Sequence, residues 1–287
     1  MIYIVGKSRL GMRIAEELRA HNLPFALVSR STGAEYTREW FKRNLKDAEA
    51  VVFSAGRVSS SPSELRREHI VPLEELAASV SCRIILASSI SVYGKKARLI
   101  DDDSSTNPDT PYAKAKLEQE EVLEGKPAAM LRLGVLYGEE YPAYTKMLSM
   151  IEKGLAFVVG NGSNNIPFTY VGSAASFFRL AIKKRISGPI NVAGRGCTQL
   201  MAVETAARLM GKKPTYIRLP VSLAMLLSKL FGRPFSSPEE VLSISSDRVV
   251  LSRRAEAYGF KDVPIEEGIK RLVEHHLRRR GHGRNRG

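Results

Sequence analysis

The sequence predicts an α/β fold: a doubly wound parallel sheet with helices on both faces and a smaller C-terminal substrate-binding lobe. Three observations carry this. Short apolar runs near residues 2–5, 25–29, 49–54, 83–88 and 128–133 read as buried strands. Helical spacing fills the intervals near 10–20, 62–79, 111–125 and 143–153, and strand–helix alternation is the pattern of parallel sheets. The first strand also runs through a glycine turn directly into a helix, the context in which a helix N-terminus meets a phosphate.

Taken in order, Met1 to Val5 is the first strand, and Gly6, Lys7, Ser8, Arg9, Leu10 and Gly11 form the turn. These six are candidate cofactor contacts. Ser8 stands where the second glycine of Gly-x-Gly-x-x-Gly would let backbone approach a pyrophosphate; serine is small and can donate a hydrogen bond. The second strand ends at Ser29, followed by Arg30 and Ser31. An acidic residue roughly 20 residues past the loop would hold the ribose hydroxyls of NAD, but the nearest acid is Glu35. Arg30 and the flanking serines instead suit a 2′-phosphate, with Lys7 and Arg9 adding positive charge, so NADP(H) is favoured over NAD(H). Val51 to Ser54 is the third strand and delivers Ala55 and Gly56 to the same edge.

The fourth strand, Arg83 to Ala87, runs into Ser88 and Ser89. After it, Pro111 opens a helix that places Tyr112 and Lys116 four positions apart on one face. A hydroxyl, a phenol and an ammonium are what hydride transfer at a carbon–oxygen bond requires. Ser89 can polarise the substrate oxygen and Tyr112 can exchange its proton. Lys116 can lower the phenol pKa from about 10 toward working pH. The strand near 128–133 ends at Gly134. All these residues lie at carboxyl ends of strands, where ligands bind in open α/β sheets.

These motifs, in this order, resemble the extended short-chain dehydrogenase/reductases, the NAD-dependent epimerase/dehydratase family. Residues 51–56 are similar to that family's third strand, 87–94 to its serine strand, Tyr112 and Lys116 to its Tyr-x-x-x-Lys, 131–138 to the strand passing the nicotinamide, and 188–194 to a later strand. The resemblance implies a Rossmann-type fold, catalysis by Ser89, Tyr112 and Lys116, and cofactor contacts from the glycine loop, Ser29 to Ser31, Ala55, Gly56, Ser88, Tyr112, Lys116 and Gly134. There are departures. The glycine loop is one residue shorter than the family's usual Thr-Gly-x-x-Gly-x-x-Gly. Residues 31–50 are too few for the segment carrying an adenine-contacting aspartate. His69 falls near the family's helix asparagine, and Thr169 to Ser173 lacks the usual acidic pair. Ile90 and Ser91 stand where family dehydratases place an acid pair, which argues against sugar dehydration. The expected activity is an NADP(H)-dependent oxidoreductase acting on a keto or hydroxy carbon of a nucleotide sugar. A nucleotide-sugar epimerase with tightly bound NAD is the alternative. A non-catalytic regulator or RNA-binding scaffold is a third reading, which the Ser89, Tyr112 and Lys116 set opposes.

The chain has 287 residues, 44% of them hydrophobic, enough for one large or two coupled domains. The expected division is a dinucleotide-binding domain at 1–139, completed by about 166–195, a substrate-binding lobe from 140–165 and 196–277, and a disordered basic tail at 278–287. Only Cys82 and Cys197 occur, so no disulfide framework is implied and a reducing, cytoplasmic setting is expected. No metal site is expected. The net charge is +14, part of it in the tail, yet a nucleic-acid partner is not expected; a small-molecule substrate is, and a homodimer is allowed. Leu219 to Ser228 is the most apolar helical stretch, bounded by Arg218 and Lys229. It falls short of the ~20 residues that span a bilayer and reads as a packed helix, with a membrane-surface or partner-docking helix as the alternative.

Overall fold

A computed structural model describes residues 1–56, 58–231 and 238–284, the side chains of 231 and 280–284 excepted. The chain runs β1 (Ile2–Val5), α1 (Arg9–Ala20), β2 (Phe25–Val28), α2 (Arg38–Asn44), β3 (Ala50–Phe53), α3 (Pro62–Leu65), a π turn (Arg66–Ile70) and α4 (Val71–Ala77). Then come β4 (Arg83–Ser89), β5 (Leu99–Ile100), α5 (Pro111–Val122), β6 (Ala128–Leu133), β7 (Val135–Tyr137), α6 (Pro142–Glu152), β8 (Leu155–Val159), β9 (Asn165–Ile166) and β10 (Phe168–Tyr170). The remainder is α7 (Val171–Lys183), β11 (Gly188–Val192), β12 (Cys197–Thr198), α8 (Gln199–Leu209), β13 (Thr215–Leu219), α9 (Val221–Phe231), α10 (Pro238–Ser245), β14 (Val249–Val250), α11 (Arg253–Ala257) and α12 (Ile265–Arg284).

Six strands form one parallel sheet in the order β11-β6-β4-β3-β1-β2. The chain winds outward in one direction from β1 to β2 and in the other from β3 to β11. The crevice at the carboxyl ends of β1 and β3 is therefore the switch point where such sheets bind ligands. β2 is an edge because residues 31–49 form only a 3₁₀ turn and α2, too little chain for a further crossover and strand. Side-chain alternation splits the sheet between two cores. Ile4, Val52 and Ile85 pack under α1 and α7 with Ile14, Phe177 and Phe178. Val51, Phe53, Ile84 and Leu86 pack under α2 and α4 with Phe41, Leu73 and Leu76.

A third core builds the C-terminal lobe from α6, α8 and α12, with Leu148, Ile151, Val203, Ala206, Leu272 and Val273. Tyr137, Phe168 and Tyr170 belong to it as well. The pair β7–β10 thus serves the lobe, although its residues had been expected in the dinucleotide-binding half.

One expectation needs correction. The basic tail is not devoid of structure from 278 onward: α12 continues to Arg284. Arginine is a good helix former, and Arg278 donates to Glu274 one turn back at 3.4 Å. Residues 285–287 of the expected tail lie outside the described residues. The apolar stretch at 219–228 falls in β13 and α9, a helix packed through one face, as expected. Among the described residues, no helix is long and apolar enough to cross a membrane.

Candidate active site

The glycine turn after β1 is closed by contacts that exclude larger side chains. Gly6 has φ +111°, and a Cβ there would lie 2.5 Å from the Ala55 nitrogen. A Cβ on Gly11 would collide with the Gly6 carbonyl and come within 2.7 Å of Ser54 Oγ. Ser8 caps α1: its Oγ accepts from the Gly11 N–H at 2.9 Å and donates to Ser54 Oγ at 3.3 Å. The residue that replaces the second glycine therefore stiffens the turn and takes one first-turn N–H. Backbone and small side chains close in where a dinucleotide's pyrophosphate would run, so these residues fit the group.

At the end of β2, Ser29, Ser31 and Thr32 form a hydroxyl cluster, with Ser29 Oγ and Ser31 Oγ 2.8 Å apart. Arg30, the candidate for a 2′-phosphate, is engaged by neighbouring side chains. It donates to Glu68 at 2.6 Å and lies over the Tyr36 ring at 5.0 Å. Glu68 is held below the usual carboxylate range by Arg67 and Arg30, against the opposing effect of burial. Lys7 and Arg9 are exposed, and Arg9 lies over the Tyr141 ring at 5.7 Å, which directs it along the cleft.

The catalytic candidates lie on β4 and α5. Thr110 caps α5 by accepting from the Ala113 N–H at 3.1 Å, and Pro111 presets its first turn. Tyr112, Lys116 and Glu120 then fall on one stripe at successive intervals of four. Glu120 is buried and accepts a forked pair from Arg132, with Nε at 3.0 Å and Nη2 at 2.6 Å. Arg132 continues to Tyr93 Oη at 2.8 Å, and Tyr93 donates to Asn191 Oδ1 at 2.8 Å. This ion pair pins the rotation of α5 against β6 and β11. One turn earlier, Lys116 Nζ donates to the Ala87 carbonyl and to Gln119 Oε1, both at 2.9 Å. One more turn back, Tyr112 packs beside Leu65, Ile70 and Ala115, with the Lys116 ammonium 5.8 Å from its ring centroid.

Neighbouring serines on β4 point opposite ways, as strand geometry requires. Ser89 is half-buried, and its Oγ accepts from the Ser91 N–H at 3.1 Å, which leaves its own proton to donate. Ser88 is buried and donates to Glu120 at 2.5 Å. Its side chain belongs to the ion-pair network, not to a cofactor surface as expected. Gly134 is likewise a packing position, where a Cβ would collide with the Pro167 carbonyl and Thr169 Oγ1.

His69 was legible only as a loose match, and the structure gives it a definite place. Pro72 has no N–H and crowds the carbonyl of Glu68, four residues back; the π turn before it relieves this. The widened turn carries His69 inward to 1% exposure, edge-on to Tyr112 with ring centroids 6.0 Å apart. A Cβ on Gly56 (φ +100°) would lie 2.5 Å from the His69 ring, so glycine there lets the imidazole reach the cleft. Gln119 donates to the His69 carbonyl at 2.9 Å, linking the π turn to Lys116. Sequence reasoning missed Gln119, Glu68, Tyr36 and Glu239, the last of which comes from α10 to bond Thr110.

One electrostatic expectation fails in the protein alone. Burial, with help from the Glu239 carboxylate, holds the Tyr112 phenol above its ordinary value, not below it. Burial also lowers Lys116 to about 8, with Glu120 opposing.

A doubly wound parallel sheet with a glycine turn at its switch point is the fold of dinucleotide-binding proteins. The model of the NAD dependent epimerase/dehydratase family matches residues 4–193, and the chain belongs to that family. It is an NAD(P)-dependent enzyme of the extended short-chain dehydrogenase/reductase type. A curated relative, the N-acetyl-alpha-D-glucosaminyl-diphospho-ditrans,octacis-undecaprenol 4-epimerase of Escherichia coli O157:H7, is 27% identical over 215 residues. That match covers 67% of this chain and 64% of the relative, so the chain matches less than two thirds of its length. Solved structures share the fold. The human epimerase family protein SDR39U1 (isoform 2) with NADPH has a TM-score of 0.79 at 18% identity, covering 96% of this chain and 99% of that one. UDP-N-acetylglucosamine 4-epimerase from Bacillus cereus has a TM-score of 0.79 at 21% identity, covering 98% and 99%.

Proposed function

We propose that this enzyme transfers a hydride at a hydroxyl- or keto-bearing carbon of a sugar carried on a diphosphate. The observation that carries the reading is the single stripe of α5, anchored at Glu120, on which Lys116 bonds the Ala87 carbonyl of β4 and lies 5.8 Å from the Tyr112 ring centroid. The relatives' names support the substrate class, since the Escherichia coli and Bacillus cereus proteins are both 4-epimerases of N-acetylglucosaminyl diphosphate compounds.

Tyr112 is the general acid/base. In the oxidative direction it takes the hydroxyl proton; in the reductive direction its phenol returns a proton to the carbonyl oxygen. Ser89 donates to the same oxygen. The nicotinamide, when bound, accepts or returns the hydride that leaves or joins the carbon. Lys116 has three N–H donors, two of them used on Ala87 and Gln119, and the third serves the nicotinamide ribose. With burial keeping the phenol protonated, Tyr112 is set up as the acid of a reduction.

Arg30, Lys7 and the Ser29–Ser31 hydroxyls favour NADP(H) as an exchangeable cofactor. The Arg30–Glu68 pair favours a second reading, an epimerase that retains NAD and returns the hydride to the same carbon. Mass spectrometry of the nucleotide that stays with the purified protein separates the two: retained NAD supports the epimerase, and an empty or NADP(H)-exchanging protein supports net oxidoreduction. For the shared chemistry, Tyr112→Phe should lower turnover 10²–10⁴-fold, about the contribution of a positioned proton donor, while cofactor still binds. Full activity of that variant would refute the assignment.

A further inference from the structure

Helix α9 packs through one face and leaves large apolar residues in water on the other. Its inward face carries Ala224 and Ser228, 7% and 2% exposed, with the partly buried Met225 and Leu227, against Val159, Val241 and Ile244. Its outward face carries Ser222, Lys229 and three leucines: Leu223 is 40% exposed, Leu226 51% and Leu230 66%. Tyr216 and Phe157, on the adjoining β13–β8 ribbon, are exposed as well. A run of large side chains left in water marks an interaction surface.

Charge identifies the occupant. Between Glu204 and Glu239 the sequence has six basic residues and no acidic one. Arg208 is paired with Glu266, whereas Lys212, Lys213, Arg218 and Lys229, in the segment that leads into and through α9, are exposed. Exposed leucines in a segment of net positive charge are what an anionic lipid surface attracts: the apolar face enters the headgroup boundary and the cations meet the phosphates. A second copy of this chain fits less well, because an isologous interface would bring this cationic segment against itself. Among the described residues no helix is long and apolar enough to cross a membrane, so the face is read as surface-docking.

We propose that the outward face of α9, with its basic segment, docks the enzyme onto anionic membranes. The helix packs on α10, which carries Glu239 to the cleft, so the docked face and the catalytic lobe are neighbours. The proposal does not rest on the reaction assigned above, since membrane binding succeeds or fails whatever the enzyme turns over.

The test is co-sedimentation of the full chain with vesicles of phosphatidylcholine alone, and with vesicles of phosphatidylcholine and phosphatidylglycerol in equal parts. Binding is expected to the second kind only, weakening as salt is added. Leu226→Ser combined with Leu230→Ser should reduce it by about tenfold or more, with thermal stability and cofactor binding unchanged because both side chains are exposed. Three outcomes would overturn the proposal. The wild type could ignore both vesicle types. The double variant could bind as tightly as the wild type, which would assign attachment to the arginines of the C-terminus. The wild type could instead form a dimer that the leucine substitutions dissociate, without binding lipid, which would show that a second copy covers the face.

Discussion

At the scale of single residues, the site is governed by burial more than by charge. Lys116 lies in the core side of the cleft, and its depressed pKa of about 8 means that its ammonium is lost as pH rises through that value. Because kcat/KM reports the groups of the free enzyme, the reductive kcat/KM should fall above about pH 8. A profile that stays level through that range would show that the ammonium is not needed. Arg30 poses the complementary question of selectivity. If it serves a 2′-phosphate, it must leave Glu68, so Glu68→Gln should strengthen NADPH binding relative to NADH. Arg30→Asp should reverse the preference. Charge-assisted hydrogen bonds are worth about 1.5–3 kcal/mol, so tenfold changes are expected in titrations with the two cofactors. Equal affinities in the wild type and both variants would remove Arg30 from the cofactor site.

At the scale of elements, α5 is the organising piece, and its oddity is a buried face made of Lys116, Gln119 and Glu120 alongside alanines. Only Glu120 and Arg132 form a full ion pair there, both nearly enclosed. Breaking such a pair strands a buried charge and costs about 3–5 kcal/mol. Glu120→Ala should therefore lower stability by that amount in urea unfolding, although the residue touches no substrate. A loss below about 1 kcal/mol would mean that the network relaxes and does not set the helix. What was legible in the sequence follows the same lines. Apolar strands and the Tyr112–Lys116 spacing are local patterns, so the sheet strands and most of its helices were readable. The π turn was not, because its cause lies in Pro72 and its effect in His69, three residues upstream and across the cleft. Ser88 and Ser89 look alike in sequence, and only the pleat decides which one turns to the buried Glu120. Glu68 and Glu239 reach the site from distant segments, and no spacing rule joins them to Arg30 or Thr110.

At the scale of the whole molecule, Asp262 sits at the seam between the sheet and the lobe. Its Oδ1 accepts from the Tyr170 N–H at 3.1 Å at the start of α7, and its other oxygen faces Gly194 just past β11, where any Cβ would collide with it. Three donors, the Ser173 side chain and the Tyr170 and Val263 backbone groups, favour the carboxylate, but burial outweighs them and raises the pKa from 3.8 to about 6. The folded protein therefore holds this proton more tightly than the unfolded chain does. Folding takes up a proton between those two values, so this group's contribution to stability is full at the acid end. It declines as pH rises toward about 6 and stays low above that. Two pKa units correspond to at most about 3 kcal/mol, less any relief from partial hydration. An amide at this position can still accept from Tyr170 but does not titrate. Compared with Asp262→Asn, the wild type should lose stability between about pH 4 and pH 7, a trend that cancels the carboxylates shared by both proteins. Chemical unfolding of the two proteins across that range measures it. A difference independent of pH would show that Asp262 is hydrated at the seam, and that the two cores are joined without burying a charge.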